Sequence, residues 1–492
     1  MGDAVSAGGR AAARVAVAAA ALGLVAGGLY GIAAPLTWGH HGYHGGEYVI
    51  RARHTLRHGA LLPGNDPGWR PPAPSRAYLH HPILTHQLVT ATVAVLGDHE
   101  YAVRGAGLLA ALAALLLLAA LVWRHWGPWP AALAAWVFVL VPLDVWFAAH
   151  IDPGFPSIAA LLAFFWFYLA WLDEGRWRHA LLACACAALA GGFEWSPYLA
   201  AAPVGLHALG RGLRRRGRSL AFVPLYALAV ASPFALHLLL VRGAGQWADL
   251  MTSYAIRTYV PGPFWPRLVE LGGALVGAPL ALVLAAWSVI AAGRIVRGRA
   301  AARDLVGVAF VVALAAYVLI FRGAVIIHGY RLLYAGVAGA IAAADLALAL
   351  GAAGARLSRR PAARPLTAAA VGLALLAAMA PAAAAALAES RRRGGIPLWP
   401  AYDPELDRLA FAAVARAATR PGDVIAVHPT FHGRMELAAT LDRDLRPVAS
   451  LRDVRAPAAG GDAGVLLELP ALAAPEWAAL AALAQRHAVV VV

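Results

Sequence analysis

Long apolar blocks alternate with short polar connections along most of the chain, and many blocks reach about 18 residues or more. As a helix rising about 1.5 Å per residue, such a block crosses roughly 30 Å of hydrocarbon. The blocks are too long and too uniformly apolar for barrel strands, which alternate in polarity. The pattern predicts an all-α polytopic membrane protein with about eleven transmembrane helices. They fall near 13–34, 105–123, 130–149, 155–172, 179–193, 198–210, 219–241, 268–292, 305–321, 332–352 and 367–388.

Three stretches break this pattern: 35–104, 242–267 and a tail at 389–492. The middle one is aromatic, with Trp247, Tyr254, Tyr259, Phe264 and Trp265. In the tail, Asp403 and Pro404 are a helix start, and apolar residues recur at helical spacing to about Ala418. Pro421 and Gly422 end that helix, and Val424–Val427 reads as a strand. A helix near 431–442, a strand near 464–469, a helix near 475–486 and a strand at 488–492 complete a small soluble C-terminal α/β domain. The tail shows no Gly-rich phosphate loop and no nucleophile elbow, which favours a lid or docking domain. The chain thus divides into a membrane domain, 1–388, with a long first outer loop at 35–104, and an extracytoplasmic domain, 389–492.

Charge settles the orientation. The net charge is +15, yet lysine is absent and the arginines sit in short runs between apolar blocks. That distribution argues for the positive-inside rule and against a nucleic-acid partner. Arg211, Arg214, Arg215, Arg216 and Arg218 fall in one connection, and Arg294, Arg297, Arg299 and Arg303 in another. The alternate connections at 150–154 and 194–197 carry none. The N-terminus is therefore expected in the cytoplasm and the tail outside. An arginine-only basic set in an Ala-rich chain fits a GC-rich genome and a bacterial plasma (inner) membrane. Cys184 and Cys186, two apart in an apolar block, read as small core residues.

The first outer loop is too patterned to be a mere connection. It runs Trp38-Gly-His-His-Gly-Tyr-His-Gly-Gly-Glu-Tyr48 and continues through Tyr78-Leu-His-His-Pro82 to Gly97-Asp-His-Glu-Tyr-Ala-Val-Arg104. Helices are predicted near 46–58 and 83–96. The first is amphipathic, with Tyr48, Ala52 and Leu56 on one face, as in helices that lie in the membrane interface.

Tyr48, Ala52, Gly59, His81-Pro82 and Gly97-x-x-Glu100-x-x-x-Arg104, in that order and spacing, resemble the first outer loop of the GT-C superfamily. These are polytopic glycosyltransferases of the protein-mannosyltransferase and aminoarabinose-transferase type. The resemblance spans roughly 13–352 and includes Asp152 at the outer end of the third span. It also takes in the His328-Gly-Tyr330-Arg331 group at the mouth of a late span. One departure stands out: the family's Asp-Glu pair falls at His44-Gly45. Glu47 lies close enough to replace the aspartate, and His44 is itself an alternative base, since imidazole changes charge near neutral pH.

The resemblance implies transfer of a sugar from a polyprenyl-phosphate-linked donor to a glycan, lipid or protein acceptor at the outer face. Glu47, His44 and Asp152 are then the candidate catalytic groups. Arg331, His328, Arg257 and Tyr330 are the candidates for the donor phosphate, arginine being suited to bidentate contacts. Tyr48, His80 and His81 belong to the substrate loop. Asp152 also reads as a cap for the next helix before Pro153, Glu194 as an interface residue in Phe-Glu-Trp-Ser-Pro, and Asp144 as a buried polar link. His54 and His58 are four apart, a usable ligand spacing, but no zinc motif accompanies them, so no cofactor is expected and a divalent cation is the lesser reading. Two other classes stay open: a transporter or flippase, and a non-catalytic relative lacking the acidic pair.

Overall fold

The computed structural model describes residues 6–466, apart from 30–31, 33–39, 65, 67, 74–75, 216–217, 261, 361–362, 394–405, 422, 428–433 and 448–463. The helix start at Asp403-Pro404, the helix near 475–486 and the strand at 488–492 lie outside the described residues. The chain forms two compact units. One comprises 1–32, 79–85 and 105–392, and the other 33–78, 86–104 and 393–492.

In the first unit the apolar blocks are helices. They are α1 (Ala7–Leu29), α4 (Glu100–Trp126, shared with the second unit), α5 (Pro128–Leu140), α6 (Pro142–Phe147), α7 (Gly154–Glu174) and α8 (Trp177–Phe193). After them come α9 (Ser196–Arg215), α10 (Arg218–Gly243), α11 (Trp247–Thr258), α12 (Phe264–Leu275), α13 (Ala278–Val296) and α14 (Asp304–Ile320). The last are α15 (Arg322–Ile327), α16 (Leu333–Ser358) and α17 (Ala363–Arg393). Among the described residues, seven helices are long and apolar enough to cross a membrane. The blocks at 130–149, 179–193 and 305–321 are represented by shorter apolar helices, Pro128–Leu140, Trp177–Phe193 and Asp304–Ile320. The block at 198–210 is helical but is not among the seven; Arg211, Arg214 and Arg215 crowd its end.

Two expected spans are broken, each for a local reason. Val141 is extended before Pro142, whose ring disfavours a helical residue ahead of it and which opens α6. Gly277 has φ 86°, a conformation that costs other residues a Cβ clash, and it separates α12 from α13. Asp144, in α6, is fully buried, and neither carboxylate oxygen has a hydrogen-bond partner among the described residues. It packs against Gly336, where an added Cβ would lie 2.5 Å from Asp144 Oδ2.

The second unit joins the first outer loop to the tail. Its loop helices are α2 (His40–His58) and α3 (Leu84–Leu96, whose first two residues belong to the first unit). Its tail contributes α18 (Leu406–Ala418), α19 (Met435–Leu441) and a parallel three-stranded sheet. The central strand β1 (Val424–Val427) lies between β2 (Asp444–Pro447) and β3 (Gly464–Leu466). Ala412, Ile425, Val427, Leu437 and Leu441 form the tail's apolar core.

The first loop helix departs from its expected interfacial role. Its arginine-bearing face is covered by α19 of the tail, while Leu56 is exposed. Arg57 grips the Asp442 carboxylate with both terminal nitrogens, at 2.7 and 2.6 Å, and Arg53 Nη1 donates to the Ala439 carbonyl. Such forked contacts are stronger than point-charge pairs and fix orientation. Gly46 allows the two helices to meet: an added Cβ would lie 2.4 Å from the Met435 carbonyl oxygen.

Candidate active site

The short segment 79–83 is held by its backbone carbonyls. His237 Nε2 donates to Leu79 O at 3.0 Å, and Trp195 Nε1 donates to His80 O at 2.7 Å. This places two adjacent histidines against α11. His80 Nε2 pairs with Asp249, and His81 Nε2 accepts from Arg257 Nη2 at 3.2 Å. Arg331 Nη2 lies 3.4 Å from the same His81 nitrogen. Arg331 sits in a single 3-10 turn, Gly329–Leu332, that leads into α16.

Glu194 completes the cluster from the connection between α8 and α9. Its Oε2 accepts from Arg331 Nη1, and its Oε1 accepts from Trp195 N–H at 2.8 Å. His81 Nδ1 is 3.4 Å from Oε1. Glu194 is 0% and Arg331 5% exposed. Burial pushes His81 down to about 3, against the raising influence of Glu194. The ring is therefore neutral, with its proton on Nδ1 and its Nε2 lone pair serving both arginines. Burial would raise Glu194, but Arg331 and His81 outweigh it and hold the carboxyl well below the usual range. Both arginines keep a donor in reserve: the buried Nε–H of Arg257 and that of Arg331 have no hydrogen-bond partner among the described residues. A buried unsatisfied donor costs free energy, so a pair of them calls for an acceptor.

The other first-unit candidates scatter around this cluster. Asp152 Oδ1 accepts from Gly154 N–H at 3.0 Å at the start of α7, and its charge acts on Arg331. Tyr330 lies beneath the Arg331 guanidinium, 4.6 Å from ring centre to carbon. His328 stacks obliquely on Tyr330, 5.3 Å between ring centres.

In the second unit, His44, Glu47 and Arg51 share one face of α2. His44 Nδ1 is 3.0 Å from Glu47 Oε2, and Arg51 Nη2 is 2.9 Å from Glu47 Oε1. Glu47 is 3% exposed and spanned by its two partners, whereas the His44 side chain keeps 19%. Glu47 is thus the buried member of the pair and His44 the partly exposed one. Tyr48 packs inward, its ring 4.7 Å from that of His86, and Arg51 stacks on Tyr78 at 4.0 Å. His54 and His58 donate to the carbonyls of Gly68 and Trp69, at 3.2 and 2.8 Å. No group of three or more metal-binding side chains occurs among the described residues.

Sequence reasoning left out Glu194. Its signal was an acidic residue at the end of an apolar block, where a charge needs a partner.

No family model matches the chain, and no curated protein matches it in sequence. Solved structures do match. ArnT from Cupriavidus metallidurans superposes in its apo state with TM-score 0.56 at 14% identity, over 86% of this chain and 83% of that one. ArnT bound to undecaprenyl phosphate gives 0.58 at 14% identity, over 88% and 85%. The Archaeoglobus fulgidus oligosaccharyltransferase, in complex with Zn and sulfate, gives 0.57 at 15% identity, over 89% of this chain but only 63% of that one. At such identity the likeness is one of fold: the chain is a polytopic membrane protein that shares the fold of these solved structures.

Proposed function

We propose that this protein is a membrane glycosyltransferase that moves a sugar from a polyprenyl-phosphate-linked donor to an acceptor hydroxyl at the outer face of a bacterial plasma membrane. The observation that carries the reading is the pair of arginines, partly exposed Arg257 and buried Arg331, joined through neutral His81 and each with a buried Nε–H that has no hydrogen-bond partner among the described residues. Positioned donors of this kind stabilise charge that develops on a leaving phosphate. The fold is shared with an ArnT structure bound to undecaprenyl phosphate, a ligand of that chemistry.

In the proposed reaction the acceptor oxygen attacks the sugar's anomeric carbon. The bond from that carbon to the phosphate oxygen breaks, and its electron pair leaves with the phosphate. The acceptor's proton passes to His44 Nε2, the ring nitrogen turned away from Glu47. Glu47 holds the ring and stabilises the imidazolium, and Arg51 pairs with the other oxygen of Glu47. This dyad does the work for which an Asp-Glu pair was expected.

The test is sugar transfer by the purified protein in lipid. Radiolabelled polyprenyl-phosphate sugars serve as donors and a crude membrane fraction as acceptor. Transfer by the parent, lost in His44→Ala and in Arg331→Gln, is the expected result. A parent that neither transfers from nor binds any of these donors overturns the proposal in favour of a non-catalytic relative.

A further inference from the structure

Among the described residues Glu194 is the one anion in direct contact with Arg331, and its contact is incomplete. A carboxylate that serves only as a structural partner for arginine can take two parallel N–H bonds on one edge of the guanidinium. Glu194 instead gives Arg331 a single oxygen, Oε2, and turns Oε1 to Trp195 N–H, 3.4 Å from His81 Nδ1. The Nε–H of Arg331 stays unused, although the side chain is buried.

We infer that Glu194 is a resident counter-anion, holding Arg331 until a lipid phosphate takes its place and then helping to expel the phosphate product. This rests on the phosphate-donor reading above. Two features fit a carboxylate that yields. It keeps a second donor, Trp195 N–H at 2.8 Å, with His81 Nδ1 3.4 Å away, which lessens the cost of leaving Arg331 when an anion replaces it there. Its neighbour His81 is neutral, which keeps the charge of the cluster low.

The charge balance explains the direction of exchange. Arg257 and Arg331 contribute two positive charges and Glu194 one negative, which leaves one net positive charge among the groups in contact. A sugar-phosphate diester carries one negative charge and balances it. Once the sugar has left, the lipid phosphate monoester approaches two negative charges near neutral pH. The second charge has no partner and faces Glu194, and Asp152 adds to the same field from farther away. The site therefore holds the donor better than the spent carrier, and turnover does not stall on product.

The experiment measures binding of a polyprenyl phosphate to the full-length protein in lipid nanodiscs, with the matching polyprenol as the uncharged control. Glu194→Gln keeps the shape and removes the charge. It is expected to bind the phosphate about tenfold tighter, with polyprenol binding unchanged. In steady-state transfer kcat and KM should fall together, because product release slows. Glu194→Asp withdraws the charge by one methylene and should fall between the two, and it decides the matter alone if Glu194→Gln fails to fold. Equal or weaker phosphate binding by the folded variants makes Glu194 a structural ion pair and overturns the inference, while the phosphate site stands. If neither parent nor variants prefer the phosphate to polyprenol, the donor reading falls and the inference falls with it.

Discussion

Each unit of the molecule buries one glutamate between a histidine and an arginine, and the two triads differ in how they are built. His44, Glu47 and Arg51 lie on one helix, so forming α2 brings them together. His81, Glu194 and Arg331 come from three distant stretches, with Glu194 137 residues from Arg331, so only the finished fold assembles them. The local triad leaves its histidine partly exposed. The distant triad seals its histidine in and adds a second arginine. The same three residue types thus sit in two settings that differ in exposure, and in the proposed reaction the open one suits proton transfer and the sealed one charge stabilisation.

Removing the exposed histidine should have the largest effect on catalysis. His44→Ala is expected to lower kcat by about 10²–10⁴-fold with little change in KM, the range for losing a general base. Glu47→Gln should fall short of that, because the imidazole survives without its orienting charge. Radiolabel transfer with saturating donor reads both. If Glu47→Gln is the more damaging, the roles within the local triad are reversed.

Arg331→Gln comes next, with kcat lower by about 10²–10³-fold, as for loss of one positioned donor. Stability separates this triad from the other more sharply than activity does. Arg331→Gln leaves Glu194 buried without its ion-pair partner, at a cost of about 3–5 kcal/mol. Removing both charges in Arg331→Gln/Glu194→Gln should restore much of that loss. Thermal unfolding in detergent measures the cycle, and additive losses would show that the two residues do not interact.

The contrast between local and distant assembly also explains what could be read from the sequence. The apolar blocks are one-dimensional signals, so the helices were legible, as was the sheet-bearing tail. His44 and Glu47 were visible as candidates, although the helix predicted near 46–58 starts after His44 and did not put them on one face with Arg51. Which of His44 and Glu47 would be the buried one was not visible, because burial of Glu47 comes with the packing of the whole unit. Glu194 was read as an interface residue, since nothing near it in sequence identifies Arg331 or His81 as its partners. The union of the first outer loop with the tail was equally hidden. It depends on Gly46 meeting Met435 and on Arg57 meeting Asp442, 385 residues along the chain.

That union predicts a smaller effect at a site with no chemistry of its own. In Gly46→Ala, the new methyl would press on the Met435 backbone, which cannot turn aside as a side chain could. Overpacking of this kind costs about 1–3 kcal/mol, which should appear as a lower unfolding midpoint and faster proteolysis of the tail. A midpoint equal to the parent's would mean that α2 and α19 can separate without penalty.

The gentlest probe of the distant triad is acid. Burial pushes His81 down to about 3 from an ordinary value near 6.5. Below about 6.5 the unfolded chain takes up a proton at this position that the folded chain refuses until about 3. The folded state therefore loses stability as pH falls through that window. Glu194 acts in the same direction at lower pH: it is held ionised by Arg331 and His81, so its contribution is present above about 4.5 and fades as acid protonates it. The unfolding midpoint of the parent should fall between pH 7 and 5. His81→Gln should flatten that slope by up to about 1.4 kcal/mol per pH unit, the value of one linked proton. Its amide oxygen can still accept from an arginine, so the cluster need not collapse. An unchanged slope would mean that His81 carries its proton in the folded state. Its Nε2 would then have no lone pair to offer Arg257 and Arg331, and the cradle between them would need another acceptor.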